Sequence, residues 1–125
     1  AKLEASKKMN EAPRDVKASV DFEVFQSMDI RLVKILEAEA IPKTKKLLKL
    51  KVDIGGAEKT VVSGIAEHYS PDEVVGKTVL YLANLAPRNI KGVQSEGMIL
   101  MASGQDESLS FMIAERGGSA GDDVR

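Results

Sequence analysis

A two-residue alternation of apolar and charged side chains runs from Leu47 to Ile54. Successive side chains on a strand point to opposite faces, so this pattern predicts a strand with one buried face and one face in water. The Gly55-Gly56 pair that follows favours a tight turn. The chain should therefore build a β-sheet around this strand. Its predicted inward residues are Leu48, Leu50, Val52 and Ile54, and its predicted outward residues are Lys49 and Lys51.

Four further strands are predicted at residues 29–41, 59–65, 78–83 and 98–103. Each is a β-branched or apolar run bounded by turn-forming residues. The first is long enough that it should bend, so that one half joins each side of a small barrel. In its two-residue repeat, one face holds Ile30, Leu32, Leu36, Ala38 and Ala40, and the other holds Arg31, Val33, Ile35, Glu37 and Glu39.

A short helix is predicted between the third and fourth strands. The sequence Ser70-Pro71-Asp72-Glu73 has proline at the first helical position and glutamate three residues after the serine, which is the pattern of a capping box, and Gly76 closes the helix. Three strands, a short helix and two more strands is the order of an OB-fold, an all-β, five-stranded Greek-key barrel. The same order also fits other small β-barrels.

A polar stretch rich in turn formers, residues 84–97, separates the last two strands. Loops held by rigid strands are where binding groups usually lie. We therefore expect this loop and the lysine-bearing second strand to form a binding face.

The chain divides into three parts. Residues 1–19 are polar and are predicted to be a linker or a loosely held segment, and residues 20–103 form the barrel core. Residues 104–125 form an extension with a sixth strand-like run, 109–114, for which a five-stranded barrel has no place. An exposed apolar strand is an aggregation hazard, so we expect a second copy of the chain to cover it through Leu109, Phe111 and Ile113. Covering by the chain's own N-terminal segment is the alternative.

Charge is distributed unevenly along a chain whose net charge is −1. Residues 41–60 carry six lysines against two acidic residues, a local +4, and the C-terminal extension is acidic. A basic patch on a near-neutral body suits a polyanion bound at one place. Surface strands also carry lysines merely to block edge pairing.

The composition offers little for catalysis. There is no cysteine and His68 is the single histidine, so neither a catalytic site, nor a metal site, nor a cofactor is predicted. No apolar run approaches the roughly 18 residues of a membrane span, so no membrane partner is expected and a cytoplasmic location fits. The second and third strands lack the aromatic residues on which single-stranded nucleic acids stack. Lysines with small polar groups better suit a folded RNA recognised by shape.

Six ordered motifs resemble the tRNA-binding domain of the EMAP II type, and the similarity covers about residues 22–125. The motifs are Asp29-Ile30-Arg31, the second strand with Gly55, Val61-Val62-Ser63-Gly64-Ile65-Ala66, Val75-Gly76-Lys77, Asn84-Leu85-Ala86-Pro87-Arg88 and Ser95-Glu96-Gly97-Met98. The resemblance implies an OB-fold, dimerisation through the C-terminal extension, and binding of folded tRNA with little sequence preference. It also implies covalent attachment to methionyl-tRNA synthetase, whose affinity for tRNA such a domain raises.

Carried over by position, the resemblance implies RNA contacts at Lys46, Lys59, Asn84, Arg88, Ser95 and Met98. The family commonly has His-Pro and Ala-Asp before the lysine at 46, where this chain has Ile41-Pro42 and Thr44-Lys45. A position that is acidic in the family is basic here, so we expect Lys43 and Lys45 to contribute to the RNA contacts. Met98 could instead belong to the core, and Asn84 could only shape a turn.

The leading hypothesis is therefore a non-catalytic, dimeric tRNA-binding domain of methionyl-tRNA synthetase. A stand-alone tRNA-binding protein, an export chaperone of the same fold, or a pure dimerisation module are the alternatives. A chain that begins at Ala1 rather than methionine is expected to be a processed product or a piece of a longer protein.

Overall fold

The computed structural model describes residues 15–125. Most of the predicted N-terminal linker therefore lies outside the described residues. Residues 15–125 contain two short helices, α1 (Phe22–Gln26) and α2 (Pro71–Val74). The strands are β1 (Ile30–Ala40), β2 (Leu48–Asp53), β3 (Glu58–Ser63), β4 (Thr78–Leu82), β5 (Arg88–Ile90), β6 (Val93–Ser95), β7 (Met98–Ile99), β8 (Met101–Ser103) and β9 (Leu109–Phe111). Neither described helix is long and apolar enough to cross a membrane.

Five strands form an antiparallel sheet in the order β3-β2-β1-β4-β7. The two ends of this sheet approach each other, because the turn between β6 and β7 is hydrogen-bonded to β3. The Glu96 N–H donates to the Thr60 carbonyl at 2.8 Å, and the Val62 N–H donates to the Ser95 hydroxyl at 2.9 Å. The predicted all-β fold, a nearly closed five-stranded barrel with a short helix, is confirmed and is consistent with an OB-like fold.

Strand β1 bends as predicted. Residues 34–40 pair with β2 and residues 30–34 pair with β4, with a bulge between Ile35 and Glu37. The predicted division of its faces was wrong, because a bulge interrupts the two-residue repeat. Val33 and Ile35 are fully buried, whereas Leu36 is only half-buried.

The core confirms the alternation from which the strand prediction began. Leu48, Leu50 and Val52 are buried on β2, and Lys49 and Lys51 lie on its outer face. Residues of the other strands, of the loop after β3 and of α2 complete the core: Val33, Ile35, Val61, Ile65, Val74, Val79, Tyr81 and Ile99.

Helix α2 begins where the capping box predicts. The Ser70 N–H donates to the Glu73 carboxylate at 2.9 Å, and Pro71 is the first helical residue. The helix ends at Val74, and Gly76 follows with φ at +93°. Glycine adopts such a φ without steric cost, which allows the chain to turn here between α2 and β4.

Two predictions about the region before residue 104 were wrong. The single strand at 98–103 is in fact two strands, because β7 ends at Ile99 and β8 leaves the barrel to pair with β9. The predicted loop at 84–97 contains the β5–β6 hairpin. Lys91 and Gly92 form its two-residue turn, with φ of +52° and +83°. Two successive positive φ values match the twist of a hairpin, so the polar segment forms strands of its own.

The C-terminal extension folds onto its own barrel. Backbone hydrogen bonds join β1 to this segment: Gly121 N–H to the Leu32 carbonyl at 2.7 Å, Leu32 N–H to the Asp122 carbonyl at 2.9 Å, and Val124 N–H to the Ile30 carbonyl at 2.9 Å. Gly55 and Gly121 lie backbone to backbone, so a Cβ on Gly55 would come 2.6 Å from the Gly121 Cα. These contacts fix the extension against the start of β1.

Candidate nucleic-acid interface

The loop between β1 and β2 presents three of the predicted RNA-contacting lysines. Buried Ile41 anchors the loop, and its carbonyl accepts hydrogen bonds from the Thr44 N–H at 3.2 Å and the Thr44 hydroxyl at 3.0 Å. This tight turn leaves Lys43, Lys45 and Lys46 exposed. Lys43 has φ of +67°, a strained conformation for a residue with a side chain.

The β5–β6 hairpin brings a fourth lysine to this loop. Lys91, at the hairpin turn, lines a surface hollow of about 410 Å³ together with Lys43, Lys45 and Lys46. The turn is held by the Asn89 side chain, whose oxygen accepts the Gly92 N–H at 3.1 Å. We call these four lysines the basic cluster. None of them forms an ion pair within 4.0 Å with a carboxylate of residues 15–125.

Three lysines on β2 and β3 are paired instead. The ammonium of Lys49 lies 3.6 Å from the Glu39 carboxylate, and that of Lys51 lies 4.0 Å from Glu58. Lys59, a predicted RNA contact, lies 3.8 Å from Glu96. Exposed pairs of this kind are each worth about 1 kcal/mol or less. They reduce the net positive charge of the strand face without locking the lysine side chains.

Ser95 closes the barrel. Its side chain is buried, the residue being 3% exposed, and its hydroxyl accepts the Val62 N–H at 2.9 Å. The residue that follows is held just as firmly: the Tyr81 hydroxyl donates to the Glu96 carbonyl. Burial raises the pKa of Tyr81 to about 12, with the nearby Glu96 carboxylate adding to the shift. The structure thus gives Ser95 a role inside the protein.

Asn84 joins the end of β4 to the segment before β1. Its side-chain oxygen accepts the Asp29 N–H at 2.8 Å, and its side-chain nitrogen donates to the Ser27 carbonyl at 2.7 Å. Both polar groups therefore have protein partners. The basic cluster begins beyond the opposite end of β1, so Asn84 is not one of its members.

Arg88 and Met98 are both exposed. Arg88 begins β5, in register with Ser95 on β6, and so lies on the hairpin that carries Lys91. Met98 is 39% exposed and pairs with Leu82 at the edge of the five-stranded sheet.

The predicted dimerisation residues have unequal surroundings. Leu109 and Phe111 are half-buried against the chain's own core, and the ring centroids of Phe111 and Tyr69 lie 4.8 Å apart with the rings tilted by 49°. Ile113 is 69% exposed and its neighbour Met112 is 41% exposed. Both line an apolar hollow of about 460 Å³, whose other residues are Leu32, Leu80, Ala114, Gly117, Asp122, Asp123, Val124 and Arg125.

Sequence reasoning did not select Lys91. Two features of the sequence could have indicated its position: the Lys91-Gly92 pair, which suits a hairpin turn, and the short β-forming runs on either side of that pair.

Within residues 15–125, no group of three or more histidine or acidic side chains is arranged to hold a metal ion.

Comparison with known proteins assigns the family. The model of the family described as "Putative tRNA binding domain" matches residues 30–123, which is most of the chain. The chain belongs to this tRNA-binding domain family. It is 44% identical over 121 residues to the methionine–tRNA ligase of Bacteroides fragilis, an alignment that covers 97% of this chain but only 18% of that protein.

Two solved structures share the fold. A MetRS-related protein from Pyrococcus horikoshii superposes with a TM-score of 0.81 at 33% identity, over 87% of this chain and all of that one. The CsaA chaperone protein from Picrophilus torridus gives a TM-score of 0.78 at 25% identity, over 86% of this chain and all of that one. The resemblance to a tRNA-binding domain of the type found in methionyl-tRNA ligases is confirmed.

Proposed function

We propose that this chain is the non-catalytic tRNA-binding domain of a methionyl-tRNA ligase, and that it raises the affinity of that enzyme for tRNA. The family and the curated relatives support this proposal, since the chain aligns with about a fifth of the ligase's length. The proposal implies a cytoplasmic location and covalent attachment to the ligase.

The basic cluster is the observation that carries the proposal. Lys43, Lys45, Lys46 and Lys91 come from two loops and converge on one hollow. Lysine ammonium groups without carboxylate partners are free to take phosphates, and each phosphate contact releases counterions from the nucleic acid. Arg88 extends this charge along the hairpin. Lys59 can contact a phosphate only if its ammonium group leaves the Glu96 carboxylate. Breaking this exposed ion pair costs little free energy.

Contacts of this kind position an RNA backbone without reading bases. Two loops held at a fixed separation by a rigid barrel favour phosphates with a matching spacing, as in a folded RNA. Asn84 and Ser95 then act mainly by holding β4 and the β6–β7 turn in place, and Met98 lies beside that turn.

We also propose that the domain works as a homodimer. Ile113 and Met112 supply exposed apolar surface beside the C-terminal segment, and Leu109 and Phe111 support them from the core side. Phe22 of α1, which is 65% exposed, and the half-buried Phe25 line a neighbouring hollow that shares Asp123, Val124 and Arg125 with the first. A second copy would cover this surface.

Salt dependence of tRNA binding is the test. Affinity measured across a series of salt concentrations should fall with a log–log slope of about −3, because about four lysine–phosphate contacts release about 0.7 to 0.9 counterions each. Absence of tRNA binding at low salt, or binding that is insensitive to salt, contradicts the proposal.

A peptide-binding function is the second candidate, and the apolar hollow beside Ile113 favours it. Competition separates the two. If an unfolded polypeptide binds and tRNA does not reduce its binding, the apolar hollow is a peptide site. If the polypeptide does not bind, that hollow is available to a second copy of the chain.

A further inference from the structure

A further surface groove lies on the outer face of the barrel, next to the basic cluster. Its volume is about 170 Å³, and it is formed by the neighbouring strands β1, β2 and β3. The lining residues are Glu37, Ala38, Glu39, Lys49, Leu50, Lys51 and Thr60. In OB-folds generally, the face of the second and third strands is where oligonucleotides lie.

Charge in this groove is set by strand register. Glu37 lies opposite Lys51 and Glu39 lies opposite Lys49 in the β1–β2 ladder. The Lys49 ammonium lies 3.6 Å from the Glu39 carboxylate, and the Lys51 ammonium lies 4.0 Å from the Glu58 carboxylate on β3. Each lysine of the groove therefore has a carboxylate beside it, and the ladder keeps the Cα positions of Glu37 and Glu39 next to those of Lys51 and Lys49.

The groove is continuous with the basic cluster. A hollow lined by Lys49, Thr60 and the Gly92–Gln94 side of the hairpin lies between them. Lys49 and Thr60 also line the groove that contains Glu37 and Glu39, and Gly92 follows Lys91 of the cluster. A nucleic-acid strand that left the cluster along the barrel would pass Lys49, Thr60 and Glu96 in this hollow and then meet Glu39 and Glu37.

We propose that the Glu37 and Glu39 carboxylates keep single-stranded nucleic acid off the strand face, and so determine specificity for folded RNA. The inference rests on the proposed function, because it concerns the surface beside the same cluster. A flexible strand gains affinity by following a long basic path and by stacking its bases on aromatic rings. Here Glu37 and Glu39 balance the charges of Lys49 and Lys51, so the path loses its net positive charge after the cluster, and no aromatic residue lines the groove. A folded RNA that contacts only the two loops does not meet the carboxylates.

Removing the two charges without changing side-chain shape gives the test. The E37Q/E39Q variant should bind an oligouridylate of about 12 nucleotides roughly tenfold more tightly than the native chain, because each carboxylate repels a phosphate at close range. Its affinity for tRNA should change by less than about twofold. The D72N/E115Q variant removes the same charge from residues outside the groove, and should leave both affinities near the native values.

Equal gains for oligouridylate in the two double variants, or no gain in either, overturn the proposal. So does an E37Q/E39Q gain for tRNA as large as that for oligouridylate, since the carboxylates would then not discriminate. Thermal unfolding of each variant verifies the fold, and E39Q alone, with a smaller gain, serves if the double variant is unstable. Failure of the native chain to bind tRNA contradicts the proposed function separately, because the oligouridylate comparison is measured independently.

Discussion

The hydroxyl of Tyr81 donates a hydrogen bond to the backbone carbonyl of Glu96, which joins the centre of the core to the turn that closes the barrel. Glu96 also pairs with β3 through its own N–H and its side chain. The N–H donates to the Thr60 carbonyl at 2.8 Å, and the carboxylate accepts the Thr60 N–H at 3.3 Å. The β6–β7 turn is thus held from two sides, by β4 and by β3.

Alkaline pH should destabilise the domain through Tyr81. The pKa of the folded-state phenol is about 12, above its ordinary value of 10, because burial disfavours the charged form. The stabilising contribution of the neutral phenol is fully present below pH 10 and is lost as pH rises from 10 to 12. A two-unit shift corresponds to a loss of about 2–3 kcal/mol.

Urea unfolding of the native chain and of Tyr81→Phe, at pH 8 and across that alkaline range, checks this. The variant should be about 1 kcal/mol less stable at pH 8, where the Glu96 carbonyl loses its donor, but should lose less stability as pH rises. Parallel pH profiles for the two proteins would show that Tyr81 does not titrate as described.

Removal of the Ser95 hydroxyl should loosen the barrel closure. Ser95→Ala leaves the buried Val62 N–H without its acceptor, which should cost about 1–3 kcal/mol in the free energy of unfolding. Ser110→Ala, at an exposed position on β9, is the matched control and should cost about 0.5 kcal/mol or less. If both variants unfold at the same urea concentration, the hydroxyl contributes nothing to closure.

An alanine at Gly97 should be more damaging still. This residue has φ of +89°, and an added Cβ would lie 2.6 Å from the Leu82 carbonyl oxygen and against the Tyr81 ring. We expect a loss of about 2–4 kcal/mol, from backbone strain together with displacement of Tyr81. Gly92→Ala is the comparison, because its φ is also positive, at +83°, but no atom lies within 4 Å of its added Cβ. Equal thermal stability of the two variants would contradict the steric part of this account.

A charge at Ile113 should dissociate the proposed dimer. Ile113 is 69% exposed in the single chain, so Ile113→Asp should leave the fold intact. In the proposed dimer the new carboxylate would be buried without a partner, so the interface should be lost. Phe111→Asp is less informative, because Phe111 packs on Tyr69 within one chain. In sedimentation, the native chain should behave as a dimer and Ile113→Asp as a monomer. A native monomer, or a variant that remains dimeric, contradicts this interface.

The fold was readable from the sequence wherever one face of a strand is charged. Lys49 and Lys51 mark the outer face of β2 unambiguously, and the capping box fixes the start of α2. The β1 prediction failed at Val33 and Ile35 because both faces of that strand carry apolar residues. The local pattern therefore could not reveal the bulge, which places the residues before it and the residues after it on different faces from those that a regular alternation predicts.

The candidate site was only partly readable. The run of lysines at 43–46 stands out in the sequence, but Lys91 is far from it along the chain. Its place in the cluster depends on how far the β5–β6 hairpin reaches, which is a property of the tertiary fold. Resemblance selected Ser95 and Asn84 for the same region, but could not separate residues that hold the loops from residues that face the ligand.

Comparison of two lysine variants tests the central claim most directly. K43A/K45A/K46A/K91A removes the basic cluster, and K49A/K51A/K59A removes lysines that are paired with carboxylates. We predict that the cluster variant loses at least about a hundredfold in tRNA affinity and about 3 units of the log–log salt slope, while the paired-lysine variant loses less than about tenfold. Equal losses in the two variants, or a larger loss in the paired-lysine variant, would contradict the assignment of tRNA binding to the basic cluster.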